Sequence, residues 1–129
     1  MTMIRLKPGQ ALLSLLLAIS LPAAAMQILE GVDGELLVGK ISQKELTRIT
    51  LDRGRIKKVT GNAGEFLLEK DEEKGQIYIR PALPSATKPL NLFVTTDRAT
   101  YTLLLQPVDL PAETIVIKDR AARSEPARP

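Results

Sequence analysis

Hydrophobic and polar residues alternate in short runs along most of the chain, which is the pattern of half-buried β-strands. The clearest stretch is NLFVTTDRATYTLLLQP at residues 91–107. Alternate positions on either side of its TDRA break are apolar: Leu90, Leu92, Val94, Tyr101, Leu103 and Leu105. The pattern predicts a β-hairpin whose two strands pair through these side chains and contribute them to a core.

Six further runs alternate in the same way, and turn residues separate them. They are GELLVGKI, with Leu36 and Val38 on one face, then LTRITLD, RIKKVTG, EFLLEK, QIYIRP and ETIVIKD. We therefore expect an all-β domain of about eight short strands, either a small antiparallel β-sandwich or a barrel-like domain. The polar DEEKG segment predicts a hairpin loop in which Gly75 takes a positive φ.

The amino terminus has a pattern of its own. Arg5 and Lys7 precede an apolar run at residues 11–21, and small residues ending in Ala25 follow it. This order predicts a secretory signal peptide that is cleaved between Ala25 and Met26. The apolar run is shorter than the roughly 20 residues that span a bilayer, so a buried helix or a retained anchor is the weaker alternative.

These patterns divide the chain into three segments. Residues 1–25 are the predicted signal peptide, and residues 26–118 are the predicted β-sandwich. Residues 119–129 contain the charged, proline-containing RAARSEPARP, which predicts a flexible linker or tail.

Charge and composition reduce the number of function classes that the chain can be expected to serve. The whole chain of 129 residues has a formal net charge of +3 and no cysteine. Residues 26–117 carry almost equal numbers of basic and acidic side chains, which gives little reason to expect direct contact with nucleic acid. Without disulfides, an exported domain of this size must be stabilised by its core or by partners.

Side chains that commonly catalyse reactions or bind metal ions are scarce. The chain has no histidine and no cysteine, so the common zinc sites and nucleophile–base pairs cannot be built. The acidic cluster at residues 69–73 lacks the spacing of a calcium loop and is read as a solvated hairpin loop. TGNAG at residues 60–64 lacks the ending of a phosphate-binding loop and is read as a turn. We expect no enzyme activity, no cofactor and no metal.

Four blocks, in order along nearly the whole chain after residue 25, resemble the amino-terminal domain of the TraK family. They are ELTRITLDRGRIKKVTG, GQIYIRP, PLNLFVTTDRATYTLLLQP and DLPAETIVI. TraK proteins are secretin-like components of F-type conjugative type IV secretion systems. The NLFVTTD block also resembles the related ring proteins of other type IV secretion systems.

The resemblance implies a periplasmic structural protein that acts in plasmid transfer and is associated with the outer membrane through its partners. The implied partners are a TraB-like membrane-spanning protein, a TraV-like lipoprotein and copies of the chain itself in a core ring. Family members usually continue into a second β-domain that contacts the lipoprotein, so we expect this chain to be a fragment or a short form. It departs from the family pattern at Thr47 and Ala99, where asparagine and glycine are more usual. Ala99 predicts a hairpin turn without positive φ at that position.

The second face of the hairpin provides the candidate partner interface. Phe93 and Leu104 lie opposite the main apolar stripe, so either another layer of the fold or a partner has to cover them. Asp97 and Arg98 occupy the hairpin tip and complete the candidate set.

Two other functions compete with that of a ring subunit. One is a stand-alone periplasmic binding or chaperone module that accepts a partner's strand at an open sheet edge. The other is a small secreted hydrolase, which the absence of histidine and cysteine disfavours. Self-assembly separates the ring subunit from the chaperone, because a chaperone binds a single client strand.

Overall fold

A computed structural model describes residues 26–121 of the chain. The described residues form nine β-strands, which are β1 (Met26–Gly31), β2 (Leu36–Ser42), β3 (Thr47–Leu51), β4 (Ile56–Gly61), β5 (Phe66–Asp71), β6 (Gln76–Pro81), β7 (Leu90–Thr96), β8 (Thr100–Val108) and β9 (Thr114–Asp119). The predicted signal peptide, its cleavage site after Ala25 and most of the predicted tail lie outside this range. Over residues 26–121, no helix is long and apolar enough to cross a membrane.

The strands form two sheets that pack as a sandwich, and no closed barrel is present in the described part of the chain. The five-stranded sheet has the order β1-β9-β3-β6-β5, and the four-stranded sheet has the order β2-β8-β7-β4. The expected all-β sandwich is therefore confirmed.

A single apolar core fills the space between the sheets. The side chains with almost no exposure come from both layers: Ile49, Ile77, Ile79, Ile115 and Ile117 from one, and Leu92, Val94, Leu103 and Leu105 from the other. Thr47 is also fully buried at the edge of this core, where its hydroxyl accepts a hydrogen bond from the backbone N–H of Ser42 at 3.2 Å. The alternate residues of LTRITLD and QIYIRP that form one face in the sequence pattern are therefore the residues that face this core.

The predicted hairpin has the predicted register. Leu90 pairs with Leu105, Leu92 with Leu103, and Val94 with Tyr101, and all six side chains are buried. No non-glycine residue between positions 26 and 121 has a positive φ, so Ala99 closes the turn in an ordinary conformation. Gly75 has the positive φ expected of it, at 66°.

Three features differ from the sequence-based expectation. The sequence pattern predicts about eight strands, whereas the described residues form nine. The additional strand is β1, because its sequence MQILEG carries apolar residues on both faces and shows no clean alternation. The sheets are mixed and not wholly antiparallel, because β1 and β3 pair in parallel with β9, and β2 pairs in parallel with β8. In β2, Leu37 and Ile41 face the core, whereas Leu36 and Val38 point to solvent.

The edges of the sheets define two flanks of the sandwich. On the β1–β2 flank, the side-chain amide of Gln27 in β1 bonds the backbone of Lys40 in β2. On the β4–β5 flank, a turn at residues 62–65 connects β4 to β5, and Phe66 packs beside Gly61. Each flank therefore presents one edge strand from each sheet.

Candidate partner interface

The outer face of the four-stranded sheet carries an apolar patch formed by Leu36, Val38, Phe93 and Leu104. Val38 lies directly beside Leu104 in the register of β2 and β8. Thr102 links the other two members, because it is the register partner of Leu36 on one side and of Phe93 on the other. Leu36, Val38 and Phe93 are 53%, 60% and 45% exposed, so no other layer of the described fold covers them.

The rim of this patch is polar and carries positive charge. Asn91 and Thr60 lie beside Leu104 and Phe93, and Lys40 and Lys58 stand at opposite margins of the sheet. None of the outward-facing positions of β2, β8, β7 and β4 holds a carboxylate. An apolar centre with a polar rim is the usual anatomy of a protein-binding surface.

The hairpin tip lies at the end of the sandwich and not on the patch. The hydroxyl of Thr96 accepts hydrogen bonds from the backbone N–H groups of Arg98 and Ala99, both at 3.0 Å, and fixes the turn. The Asp97 carboxylate accepts a hydrogen bond from the backbone N–H of Arg55 at 3.4 Å. Phe93 and Leu104 are thus brought together on the face, whereas Asp97 and Arg98 form a separate, exposed pair at its end.

Below the tip, the buried Tyr101 joins the two sheets through its hydroxyl. It donates a hydrogen bond of 2.6 Å to the Asp119 carboxylate at the end of β9. Burial, reinforced by this hydrogen bond and by the negative charge of Asp119, raises the pKa of Tyr101 well above its usual value. The neutral phenol therefore ties the hairpin to the five-stranded sheet.

The acidic cluster of the β5–β6 hairpin stabilises its own turn. The Asp71 carboxylate accepts a hydrogen bond from the backbone N–H of Lys74 at 3.1 Å. The Arg55 guanidinium donates to the backbone carbonyls of Glu72 and Glu73. Among residues 26–121, no group of three or more acidic side chains has the geometry to hold a metal ion.

A shallow groove of about 460 Å³ runs beneath the proline-containing loop that follows β6. Its charged lining residues, Glu65 and Lys88, pair with each other at 3.0 Å. Both charged side chains of the groove therefore already have a partner within the domain.

Sequence reasoning identified half of the apolar patch. Phe93 and Leu104 were recognised because they oppose a clear stripe in the hairpin. The sequence pattern places Leu36 and Val38 on one face of a strand but does not mark them as partner-contacting residues, since GELLVGKI is apolar on both sides. The signal that could have found them is the conflict between the Leu36–Val38 and Leu37–Ile41 stripes, because only one of the two can face a single core.

The fold and its surface define a small two-layer β-sandwich whose four-stranded sheet has an uncovered apolar face. The family model described as the TraK N-terminal domain matches residues 32–125, and the chain belongs to this family. It is accordingly a structural protein of the periplasmic conjugation machinery, related to type IV secretion. A search of curated proteins finds no match. The matched region begins directly after β1.

Proposed function

We propose that this chain is a structural ring subunit of the periplasmic and outer-membrane core complex of a conjugative type IV secretion system. In this secretin-like role it acts by protein–protein contact in plasmid DNA transfer. Its partners are a TraB-like protein, a TraV-like lipoprotein and further copies of itself, and the lipoprotein links it to the outer membrane. The observation that carries this proposal is the uncovered apolar patch on the four-stranded sheet of a TraK-family domain.

The patch favours docking because solvent exposure of clustered apolar side chains is unfavourable. Burying apolar surface contributes roughly 25 cal/mol per Å² before the costs of association are subtracted. Phe93 is the strongest anchor of the four, since aromatic side chains supply large contact areas and are enriched in the centres of interfaces.

The charge of the rim indicates what the partner presents. Lys40 and Lys58 flank the patch without any carboxylate on the same face. A partner segment with an apolar stripe bordered by Asp or Glu would bury the patch and pair with both lysines. Such complementary charges mainly raise the rate of association and exclude wrong partners.

Replacement of Phe93 tests the proposal. Phe93→Ser should leave the domain folded, because the side chain points away from the core, and should lower both co-purification with a TraB-like partner and plasmid transfer. Arg98→Glu should have the same effect if the hairpin tip belongs to the same interface.

Leu110→Ser is the matched control, because Leu110 is also 45% exposed but lies in the loop before β9. Circular dichroism checks the fold, and a mating assay reports transfer. Normal transfer and normal co-purification by folded Phe93→Ser would exclude the patch as an interface.

A further inference from the structure

The five-stranded sheet has an open edge at β5. The backbone N–H of Ala82 bonds the carbonyl of Glu65 at 3.0 Å, which extends the β5–β6 register by one pair beyond Phe66 and Pro81. Hydrogen-bonded and non-bonded pairs alternate in an antiparallel ladder. Residue 66 therefore falls at a non-bonded position, which agrees with the absence of an N–H on its partner Pro81.

The same alternation gives Leu68 and Lys70 non-bonded positions as well. Their backbone N–H and C=O groups, with those of Phe66, point away from β6 toward the open edge. Strand β5 is regular, with six residues, no proline and no bulge. An edge of this kind is a template for pairing with another strand.

The opposite edge of the same sheet is β1, which pairs with β9 alone. It also has six residues without proline or irregularity. Its outward side chains Met26 and Ile28 are exposed, as is the outward Leu67 of β5. The exposed large apolar residues on the outer face of this sheet thus lie on its two edge strands.

The four-stranded sheet, in contrast, has obstructed edges. On β2, the Gln27 amide donates to the carbonyl of Lys40 at 2.6 Å and accepts from its N–H at 2.8 Å, as a neighbouring strand would. On β4, the register shifts between Ile56 and Lys58, and a bulge of this kind disrupts pairing at an edge. Continuous pairing between molecules is therefore left to β1 and β5.

We propose that copies of this chain associate through these two edges, with β1 of one copy pairing in parallel with β5 of the next. The connections of the fold make both strands run in the same direction along the sandwich, so two copies side by side in one orientation present them in parallel. Because the edges lie on opposite flanks, the contact is head-to-tail, and such a contact forms a ring when the rotation between copies closes. The inference rests on the proposed ring function and specifies its copy-to-copy contact.

The pairing would also cover the apolar residues of both edges. Side chains that point outward on adjacent strands are neighbours on one face of a sheet. Ile28 or Met26 of one copy, according to the register, would therefore lie beside Leu67 of the next, and these side chains would lose solvent exposure.

Disulfide trapping tests this contact, since the natural chain contains no cysteine. Neighbouring strands place Cα atoms within the 4.4–6.8 Å that a disulfide spans, and the periplasm is oxidising. The full-length protein carrying Ile28→Cys and Leu67→Cys, expressed with its conjugation partners, should give a ladder of dimers, trimers and larger species on non-reducing gels. Each copy then offers one cysteine to each neighbour.

Three control variants make the result interpretable. Leu67→Cys with Arg80→Cys joins register partners within one molecule and reports that oxidation occurred. Each single-cysteine variant should remain monomeric. Efficient dimers from either single variant would show that an edge strand pairs with the same strand of another copy. A cross-link from Leu67→Cys to a different protein would show that β5 binds a client strand. Either result would overturn the proposal.

Failure of the edge contact is distinguishable from failure of the ring function. The pair Met26→Cys with Leu67→Cys covers the register that is shifted by two residues. If neither cysteine pair gives a ladder while plasmid transfer and ring assembly are normal, the edge pairing is wrong and the ring function stands. If the wild-type protein forms no ring with its partners, as judged by electron microscopy of the purified complex, the proposed function itself is wrong.

A backbone variant provides an independent test. In the cysteine-pair background, Lys70→Pro removes an N–H at the open edge without removing a β5–β6 hydrogen bond and should reduce the ladder several-fold. Lys70→Ala removes the same charge but keeps the N–H and should leave the ladder intact. Equal ladders from the two variants would exclude main-chain pairing at this position.

Discussion

At the scale of single residues, buried polar side chains near the hairpin tip fix the conformation of the β7–β8 hairpin, which carries Phe93 and Leu104 of the apolar patch. Thr96 is buried, and its hydroxyl bonds two backbone N–H groups within the turn. Such side chain–backbone bonds let threonine replace backbone pairing where the chain reverses. Tyr101 performs a different task, because its hydroxyl bonds Asp119 in the other sheet.

Replacing Thr96 with valine should destabilise the domain by about 1–3 kcal/mol, since the N–H of Ala99 loses its acceptor in a buried site and the N–H of Arg98 loses it in a partly buried one. Thr95→Val is the control, because it removes only the hydrogen bond between the Thr95 and Thr100 hydroxyls across the hairpin. A cross-strand pair of this kind contributes below about 1 kcal/mol. Urea unfolding measures both, and equal losses would contradict the role assigned to the Thr96 hydroxyl.

Tyr101 predicts a dependence of stability on alkaline pH. Its pKa is raised by burial and by Asp119, so the folded state keeps its proton when the unfolded chain, with a pKa of about 10, has lost it. The stabilisation is complete below pH 10 or so and is lost as the pH rises above that value. The urea midpoint of the wild type should therefore fall more between about pH 9 and pH 11 than that of Tyr101→Phe. Parallel decreases would contradict the prediction.

At the scale of elements, the edge strands differ in how they are protected. Gln27 projects from β1 and bonds both backbone groups of Lys40, and its amide also donates to the Glu113 carboxylate at 3.0 Å. One side chain therefore closes the edge of β2 and joins the two sheets on that flank. Edge protection of this kind prevents unwanted pairing between molecules.

Gln27→Ala should destabilise the domain by about 1–2 kcal/mol through the lost hydrogen bonds and should increase aggregation, because the β2 edge becomes available. Gln106→Ala is the control, as its amide also bonds two backbone carbonyls but from the sheet face. Light scattering at equal protein concentration compares the two variants. If Gln106→Ala aggregates as fast as Gln27→Ala, edge protection is not the function of Gln27.

At the scale of the whole molecule, one core holds both sheets. Ile79 and Leu103 come from different layers, and both have no measurable exposure. The strands of the two sheets are interleaved along the chain, so neither layer consists of one continuous segment. We therefore expect the two sheets to unfold together.

Ile79→Ala and Leu103→Ala should each cost about 2–5 kcal/mol, because each leaves a cavity in the shared core. Leu83→Ala, at a side chain that is 66% exposed, should change stability by less than about 0.5 kcal/mol. Tyr78 reports on one sheet and Tyr101 on the other, so fluorescence of Tyr78→Phe and Tyr101→Phe follows each layer. Separate transitions for the two tyrosines would contradict cooperative unfolding.

The sequence by itself determined the strands whose two faces differ, and the local turns between them. The β7–β8 register follows from its apolar alternation and a short turn, which together leave little choice of pairing. Gly75 and Ala99 likewise follow from the φ values that these residues allow. The TraK family was also recognisable from the order of four sequence blocks, and the family model confirms it.

The tertiary structure decided what local pattern leaves open. Strand β1 and the orientation of β2 could not be read from sequence, because MQILEG and LLVGKIS are apolar on both faces and only packing selects the buried one. The parallel pairing of β1 with β9 joins the two ends of the described chain, and no local signal specifies a partner that distant. Phe93 and Leu104 became part of a four-residue patch only because β2 docks beside β8 and turns Leu36 and Val38 outward. Which apolar residues serve the core and which remain for a partner is therefore settled by the arrangement of the sheets.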